Sequence, residues 1–130
     1  MNIRRQLSIF VENRPGMLAR VCETMAKKNV NILALAIQDS IDHAVIRMVV
    51  DKATDAAHIL GEAGLLVIEK DILFAEVENR PGILSEIAER CRDAKLNIEY
   101  AYCTATEKQK TGCVIISVSD PEQALKVIKL

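Results

Sequence analysis

The sequence predicts an α+β fold made of two tandem copies of one small unit. Val11–Leu18 (Val-Glu-Asn-Arg-Pro-Gly-Met-Leu) recurs as Val77–Leu84 (Val-Glu-Asn-Arg-Pro-Gly-Ile-Leu), 66 residues later (79 − 13 = 66). Val30–Ile32 is matched by Leu96–Ile98 at the same spacing. A repeat of this length is too long for a solenoid and fits a small domain that is present twice. We therefore predict two domains, one over residues 1–70 and one over residues 71–130.

Hydrophobic periodicity gives the first copy six elements. Alternating apolar residues in Leu7–Glu12 predict a strand with one buried face. The apolar residues from Met17 to Met25 are spaced as on an amphipathic helix that covers one face of a sheet. The remaining predicted elements are two strands, a helix and a last strand: Ile32–Gln38, Ala44–Asp51, Thr54–Ala63 and Leu65–Glu69. This β-α-β-β-α-β order is the ferredoxin-like unit, with an antiparallel sheet and both helices on one face.

The second copy repeats this order as far as its second helix. Its predicted elements are a strand, a helix starting at Ile83, two strands and a helix starting at Pro121, the strands being Asp71–Glu78, Ile98–Thr104 and Cys113–Asp120. Aligning Asp51 with Asp120 needs a spacing of 69, which predicts a hairpin loop three residues longer than in the first copy. The last strand of this unit is missing, so its first strand would have an open edge. Either another unit or chain completes that edge, or the sequence is incomplete.

Charge and composition exclude several classes of function. The chain has 17 Lys and Arg against 18 Asp and Glu, a net charge of −1 and no block of like charges, which argues against binding to nucleic acid or an anionic membrane. RNA-recognition domains share the element order but need stacking aromatics and a basic face, and this chain has only two Phe and two Tyr. It contains no membrane-spanning apolar run and no signal-peptide core. We predict a cytoplasmic protein.

Cysteines and histidines suggest neither a metal site nor a catalytic centre. None of the cysteines forms a Cys-x-x-Cys pair or lies at a zinc-like spacing from His43 or His58. We interpret the four as reduced thiols inside the core, with a redox or metal role as the alternative: Cys22, Cys91, Cys103 and Cys113. No catalytic triad or Gly-rich phosphate loop is present. We therefore predict no enzyme activity, no metal and no cofactor.

The repeated turn is the main candidate binding feature. In Arg14-Pro15-Gly16-Met17, Pro at the second position and Gly at the third predict a type II turn in which Gly16 has positive φ. The turn leads into a helix whose first N–H groups lack internal partners and attract a carboxylate. Asn13 adds a side chain with a donor and an acceptor, suited to a zwitterion. The alternative is a purely structural turn in which Asn holds the backbone.

The residues quoted above resemble the ACT domain, a small amino-acid-sensing module, in two tandem copies without a catalytic domain. The resemblance implies that a ligand binds between paired ACT domains, where the loop after the first strand faces the second strand of the partner domain. In this chain it implicates the two turns, Asn13, Arg14, Pro15, Gly16, Met17, Leu18 and Asn79, Arg80, Pro81, Gly82, Ile83, Leu84. It also implicates the starts of the second strands, Asn31, Ile32, Asn97 and Ile98. From the residues alone, Asn31 and Asn97 fit equally a left-handed helix exit or an Asx turn.

We therefore expect a non-catalytic regulatory protein that binds a free amino acid at the interface between ACT domains. The resemblance implies a homodimer, and a regulated enzyme as a further partner. The alternative is a regulatory small subunit of an amino-acid biosynthetic enzyme of the acetohydroxyacid synthase type, whose opening sequence is similar. The second ACT copy argues against that alternative.

Overall fold

A computed structural model describes residues 1–129 and contains six strands and four helices in that range. In chain order these are β1 (Asn2–Glu12), α1 (Met17–Lys27), β2 (Ile32–Asp39), β3 (His43–Val50), α2 (Ala53–Glu62), β4 (Leu66–Glu78), α3 (Ile83–Asp93), β5 (Ile98–Thr104), β6 (Thr111–Val118) and α4 (Pro121–Val127). They form two compact units. The first unit is Arg5–Lys70, and the second unit consists of Met1–Arg4 together with the chain from Asp71 onward.

The first unit is an antiparallel sheet with both helices packed on one face. β3 lies between β1 and β2, with Leu7 and Leu35 both opposite Met48. Leu7 on β1 packs with Val21 of α1 and Leu60 of α2 in one buried cluster. The alternating pattern therefore puts one side of each strand into the core, as the sequence predicts.

The second unit repeats this arrangement. β6 lies between β4 and β5, with Leu73 and Ala101 both opposite Ile116. Leu73 packs with Cys91 of α3 and Ala124 of α4 in a second buried cluster. The predicted α+β class, with antiparallel strands and helices on one face, is confirmed in each unit.

The strand register corrects the predicted length of the second hairpin. Leu7 pairs with Met48, and its repeat equivalent Leu73 pairs with Ile116. The third strands of the two units are therefore related by 68 residues (116 − 48 = 68), and the hairpin loop is two residues longer, not three. The alignment of Asp51 with Asp120 was wrong because it matched residue type. The cross-strand pairing instead aligns Lys52 with Asp120, and these two residues are the N-caps of α2 and α4.

The N-terminal residues Met1–Arg4 belong to the second unit, in which the chain provides no strand after α4 within residues 1–129. Ile3 packs against the core of this unit, and the Arg4 guanidinium lies 4.8 Å from the centre of the Phe74 ring. In the first unit, Leu66–Lys70 at the start of β4 has the position that Met1–Arg4 has in the second unit. Residues 68–70 are the repeat equivalents of residues 2–4. β4 is one continuous strand of 13 residues, where the sequence predicted two.

The longest helices within residues 1–129 are α1 and α3, at 11 residues each. A helix needs about 20 apolar residues to cross a bilayer, and neither these nor the shorter helices meet that requirement.

We predict that Ile3→Ala destabilises the second unit, because the substitution removes apolar contacts with its core. For this half-buried side chain we expect a loss of about 1–2 kcal/mol in the free energy of unfolding. Urea unfolding measures the loss, and faster hydrogen exchange of the Leu73 amide locates it. Asn2→Ala is the control, since Asn2 is exposed. Equal stability of the two variants would contradict a packing role for Ile3.

Candidate functional site

The two Pro-Gly turns have the same backbone conformation. Gly16 has φ 89° and ψ −10°, and Gly82 has φ 88° and ψ −9°, close to the values at the third position of a type II turn. A Cβ at Gly16 would meet no atom within 4 Å, so the positive φ itself requires glycine there. Within residues 1–129, no side chain caps the first N–H groups of α1 or α3. These N–H groups carry partial positive charge.

The asparagine that recurs in both turns binds the hairpin loop of its own unit. Asn79 Nδ2 donates to the carbonyl oxygens of Thr106 and Gln109, at 2.8 and 2.9 Å. Its backbone N–H donates to the Lys110 carbonyl at 2.9 Å. Asn13 Nδ2 makes the equivalent bond to the Ser40 carbonyl at 3.0 Å. The asparagine donors therefore fix each turn against a loop, which is the structural role left open by the sequence.

The arginine of the turn is held differently in the two units. In the first unit, Arg14 Nε lies 2.9 Å from a carboxylate oxygen of Glu12. In the second unit, Arg80 contacts both Glu78 at 2.9 Å and Glu86 at 2.6 Å. The repeat equivalent of Glu86 is Arg20 (86 − 66 = 20), so the second carboxylate is specific to the second unit. The hydrogen bond between Arg80 and Glu86 raises the pKa of the guanidinium and lowers the pKa of the carboxyl.

A cavity of about 390 Å³ opens beside the turn of the second unit. Its walls come from the turn with the start of α3, from the end of β5 and from the start of β6. We call it the second-unit pocket. The lining residues are Val77, Glu78, Asn79, Arg80, Pro81, Gly82, Ile83, Leu84, Ser85, Cys103, Thr104, Ala105, Gly112, Cys113 and Val114.

The corresponding place in the first unit has a cavity of only about 90 Å³, which we call the first-unit cavity. It is lined by Val11, Glu12, Asn13, Arg14, Met17, Leu18, Ile37, Ala44 and Ile46. Pro15 and Gly16 belong to the turn but not to this lining. All six turn residues singled out from the sequence therefore line the pocket in the second unit, and four of the six line the smaller cavity in the first unit.

The second-strand residues singled out from the sequence lie away from these cavities within their own units. Ile32 is opposite Val50 at one end of β3, whereas Glu12, which precedes the turn, is opposite His43 at the other end. Ile98 similarly pairs with Val118, and Asn97 precedes it. The Asn31 backbone N–H donates to the Asp51 carboxylate at 2.9 Å. A role opposite the turn of another domain stays a prediction for these four residues.

Sequence reasoning missed the pocket walls contributed by β5 and β6, including Cys103, Thr104 and Gly112. These residues are smaller than their equivalents in the first copy. That difference can be recognised only when the strand register shows which residues are equivalent. The expectation of four buried cysteines was wrong for Cys103, which is exposed, and for Cys22 and Cys113, which are half-buried. Cys91 is buried in the core, and burial raises the pKa of its thiol.

Comparison with known proteins agrees with the fold. The family model described as "ACT domain pair" matches residues 1–130. The chain belongs to this ACT family. Its structure is similar to that of protein BT0572 from Bacteroides thetaiotaomicron, with 30% sequence identity, a TM-score of 0.89 and coverage of 96% of this chain and 85% of that one. No functionally curated protein matches the sequence.

Regulatory ACT proteins share the fold at lower identity. The ligand-free regulatory subunit of aspartate kinase from Thermus thermophilus matches with a TM-score of 0.72 and 19% identity, over 97% of this chain and 92% of that one. The regulatory subunit of aspartate kinase from Thermus flavus matches with a TM-score of 0.63 and 19% identity, over the same shares of the two chains. The chain therefore has the fold of an ACT-type regulatory subunit.

We predict that Asn79→Ala destabilises the protein more than Asn13→Ala does. Asn79 donates two side-chain hydrogen bonds to its hairpin loop, and Asn13 donates one. At about 1 kcal/mol per bond, urea unfolding should show losses of about 2 and about 1 kcal/mol, respectively. Amide exchange should also accelerate in the Thr106–Lys110 loop of the Asn79 variant alone. Equal losses would show that the additional bond contributes nothing.

We predict that Glu86 titrates below the ordinary glutamate pKa of about 4.3 and that Arg80→Gln moves this pKa upward. Because the pKa is lowered in the folded state, Glu86 contributes to stability at pH values above its ordinary pKa. This contribution is lost as the pH falls through the lowered pKa. An NMR titration of the Glu86 carboxyl carbon measures the shift. Arg90→Gln should have the smaller effect, because the bond to Arg80 is the largest cause. An unchanged pKa in Arg80→Gln would refute this assignment.

Proposed function

We propose that this protein is a non-catalytic regulatory module that binds a free amino acid at the Asn-Arg-Pro-Gly turn. The observation that carries the proposal is the second-unit pocket of about 390 Å³ beside the N terminus of α3. This volume lies within the range of small-molecule sites, about 300–1,000 Å³. Membership in the ACT domain pair family supports a regulatory role.

The chemistry of a zwitterion suits this place. The N-terminal N–H groups of α3, beside Pro81 and Gly82, receive the carboxylate of the ligand. Glu78 lines the pocket and offers a carboxylate to the ligand's ammonium group. The ligand's side chain then points toward Ile83 and the apolar start of β6. Each part of an amino acid thus has a group of matching chemistry.

Closure of the site and its regulatory output require partners. We propose a cytoplasmic homodimer in which the second strand of a paired ACT domain covers the turn, with Asn31, Ile32, Asn97 and Ile98 as the contributing residues. A bound amino acid alters an assembly only through its different affinities for the alternative states. The output is then read by a regulated enzyme. The shared fold with aspartate kinase regulatory subunits is compatible with that arrangement.

We predict that one or a few of the twenty free amino acids raise the melting temperature of the purified protein. A ligand at 100 times its Kd stabilises the folded state by about 2.7 kcal/mol, which corresponds to a shift of several degrees for a chain of this size. Differential scanning fluorimetry against each amino acid measures the shift. The double variant Gly16→Val/Gly82→Val should lose it, because a β-branched residue resists positive φ and changes both turns.

Gly64→Val is the matched control for backbone strain. Gly64 has φ +82° and open space around its Cβ direction, and it follows α2 and belongs to neither Pro-Gly turn. This variant should lose intrinsic stability as a turn variant does but keep the ligand-induced shift. If no amino acid stabilises the wild-type protein, the proposed function is wrong. If the double turn variant keeps the full shift, amino-acid binding takes place elsewhere.

A further inference from the structure

We infer that the two turn sites of each chain are not equivalent, and that only the second-unit pocket accepts the ligand, an amino acid with an uncharged, apolar side chain. This inference rests on the proposed function and makes it specific: one site per chain, with Cys103, Gly112 and Val114 as the residues that open it. The first unit would keep the turn but not the site.

The register shows which residues of the two units are equivalent. Cys103 pairs with Val114 across β5 and β6, and Ile37 pairs with Ile46 across β2 and β3. Val77 pairs with Gly112, and its repeat equivalent Val11 pairs with Ala44. Each residue that lines the first-unit cavity therefore has its equivalent among the residues that line the second-unit pocket.

All three wall residues are smaller in the second unit. Cys103 stands where the first unit has Ile37, Gly112 where it has Ala44, and Val114 where it has Ile46. The cavity is about 390 Å³ in the second unit and about 90 Å³ in the first. Because every substitution goes in the same direction, the side chains of the first unit fill the volume that the second unit leaves open.

Gly112 is required by close packing as well as by pocket volume. A Cβ at this position would lie 3.0 Å from the Ala105 Cβ and 3.1 Å from the Thr104 carbonyl oxygen. The end of β5 therefore approaches β6 more closely than a side chain permits. A substitution of Gly112 would disturb this strand pair, so Cys103 is the better position for a test.

The charges around the second-unit pocket determine the ligand class. Within residues 1–129, its charged lining residues are Glu78 and Arg80. They form an ion pair with each other at 2.9 Å, and Arg80 is also held by Glu86 at 2.6 Å. The other lining side chains are uncharged and mainly apolar, including Val77 and Ile83. Because Glu78 is also assigned to the ligand's ammonium group, a charged ligand side chain would gain no partner of its own there.

Cys103→Ile and Ile37→Cys form a matched pair of variants that exchange the wall residues of the two units. Both positions are exposed in the native protein, so we expect both variants to fold. Isothermal titration calorimetry with the twenty free amino acids should give one site per wild-type chain. Cys103→Ile should weaken binding of the stabilising amino acid at least tenfold. Ile37→Cys should leave its affinity and stoichiometry unchanged.

Methyl NMR locates the ligand independently of the variants. The signals of Ile83 and Leu84 should shift on titration, and those of Met17 and Leu18 should not. Two sites per chain, wild-type affinity in Cys103→Ile, or shifts at Met17 would overturn the inference and leave the proposed function intact. Selective binding of a charged amino acid would overturn the assigned ligand class. Failure of all twenty to bind the wild-type protein would overturn both the inference and the proposed function.

Discussion

The left-handed conformation of two glycines is the constraint on which each candidate site depends. Gly16 and Gly82, with φ near +89°, end the first strand of their units and start a helix within one turn. Any other residue type would resist this conformation and redirect the helix. The same geometry leaves the N terminus of α3 without a side-chain cap among the described residues and places it at the rim of the second-unit pocket. The end of the strand, the start of the helix and the candidate binding surface therefore all depend on the same left-handed glycine conformation.

The two units have the same residue at some core positions and residues of different size at others, such as Met25 and its equivalent Cys91. Leu7 and Leu73 are equivalent and fully buried, and the same is true of Ala56 and Ala124. A change at such a position creates a cavity or an overlap that costs stability in either unit. Cys103 and its equivalent Ile37 are exposed, so the smaller residue opens space beside the turn without disrupting the core.

The sequence predicted the elements and the turn because those features are encoded by neighbouring residues. The type II turn follows from Pro and Gly at fixed positions, and the helix after it follows from local apolar spacing. The inclusion of Met1–Arg4 in the second unit could not be predicted, since it depends on contacts of Ile3 with residues 70 or more positions away. The pocket walls were missed for the same reason. Cys103 and Gly112 acquire meaning only when the pairing of β4, β5 and β6 fixes which first-unit residues they replace.

The free energy supplied by one bound ligand bears on whether the proposed homodimer, with one site per chain, can act as a complete switch. Converting a two-state equilibrium from 1:99 to 99:1 requires about 5.5 kcal/mol of differential binding. A site that binds its ligand in only one of the two conformations stabilises that conformation by about 2.7 kcal/mol when the ligand is present at 100 times its Kd. Two identical chains acting on one shared equilibrium supply about twice that amount, which is close to the requirement. At that ligand concentration, a chain with one open site would need the proposed homodimer to produce a complete switch, and a monomer would give only a partial response.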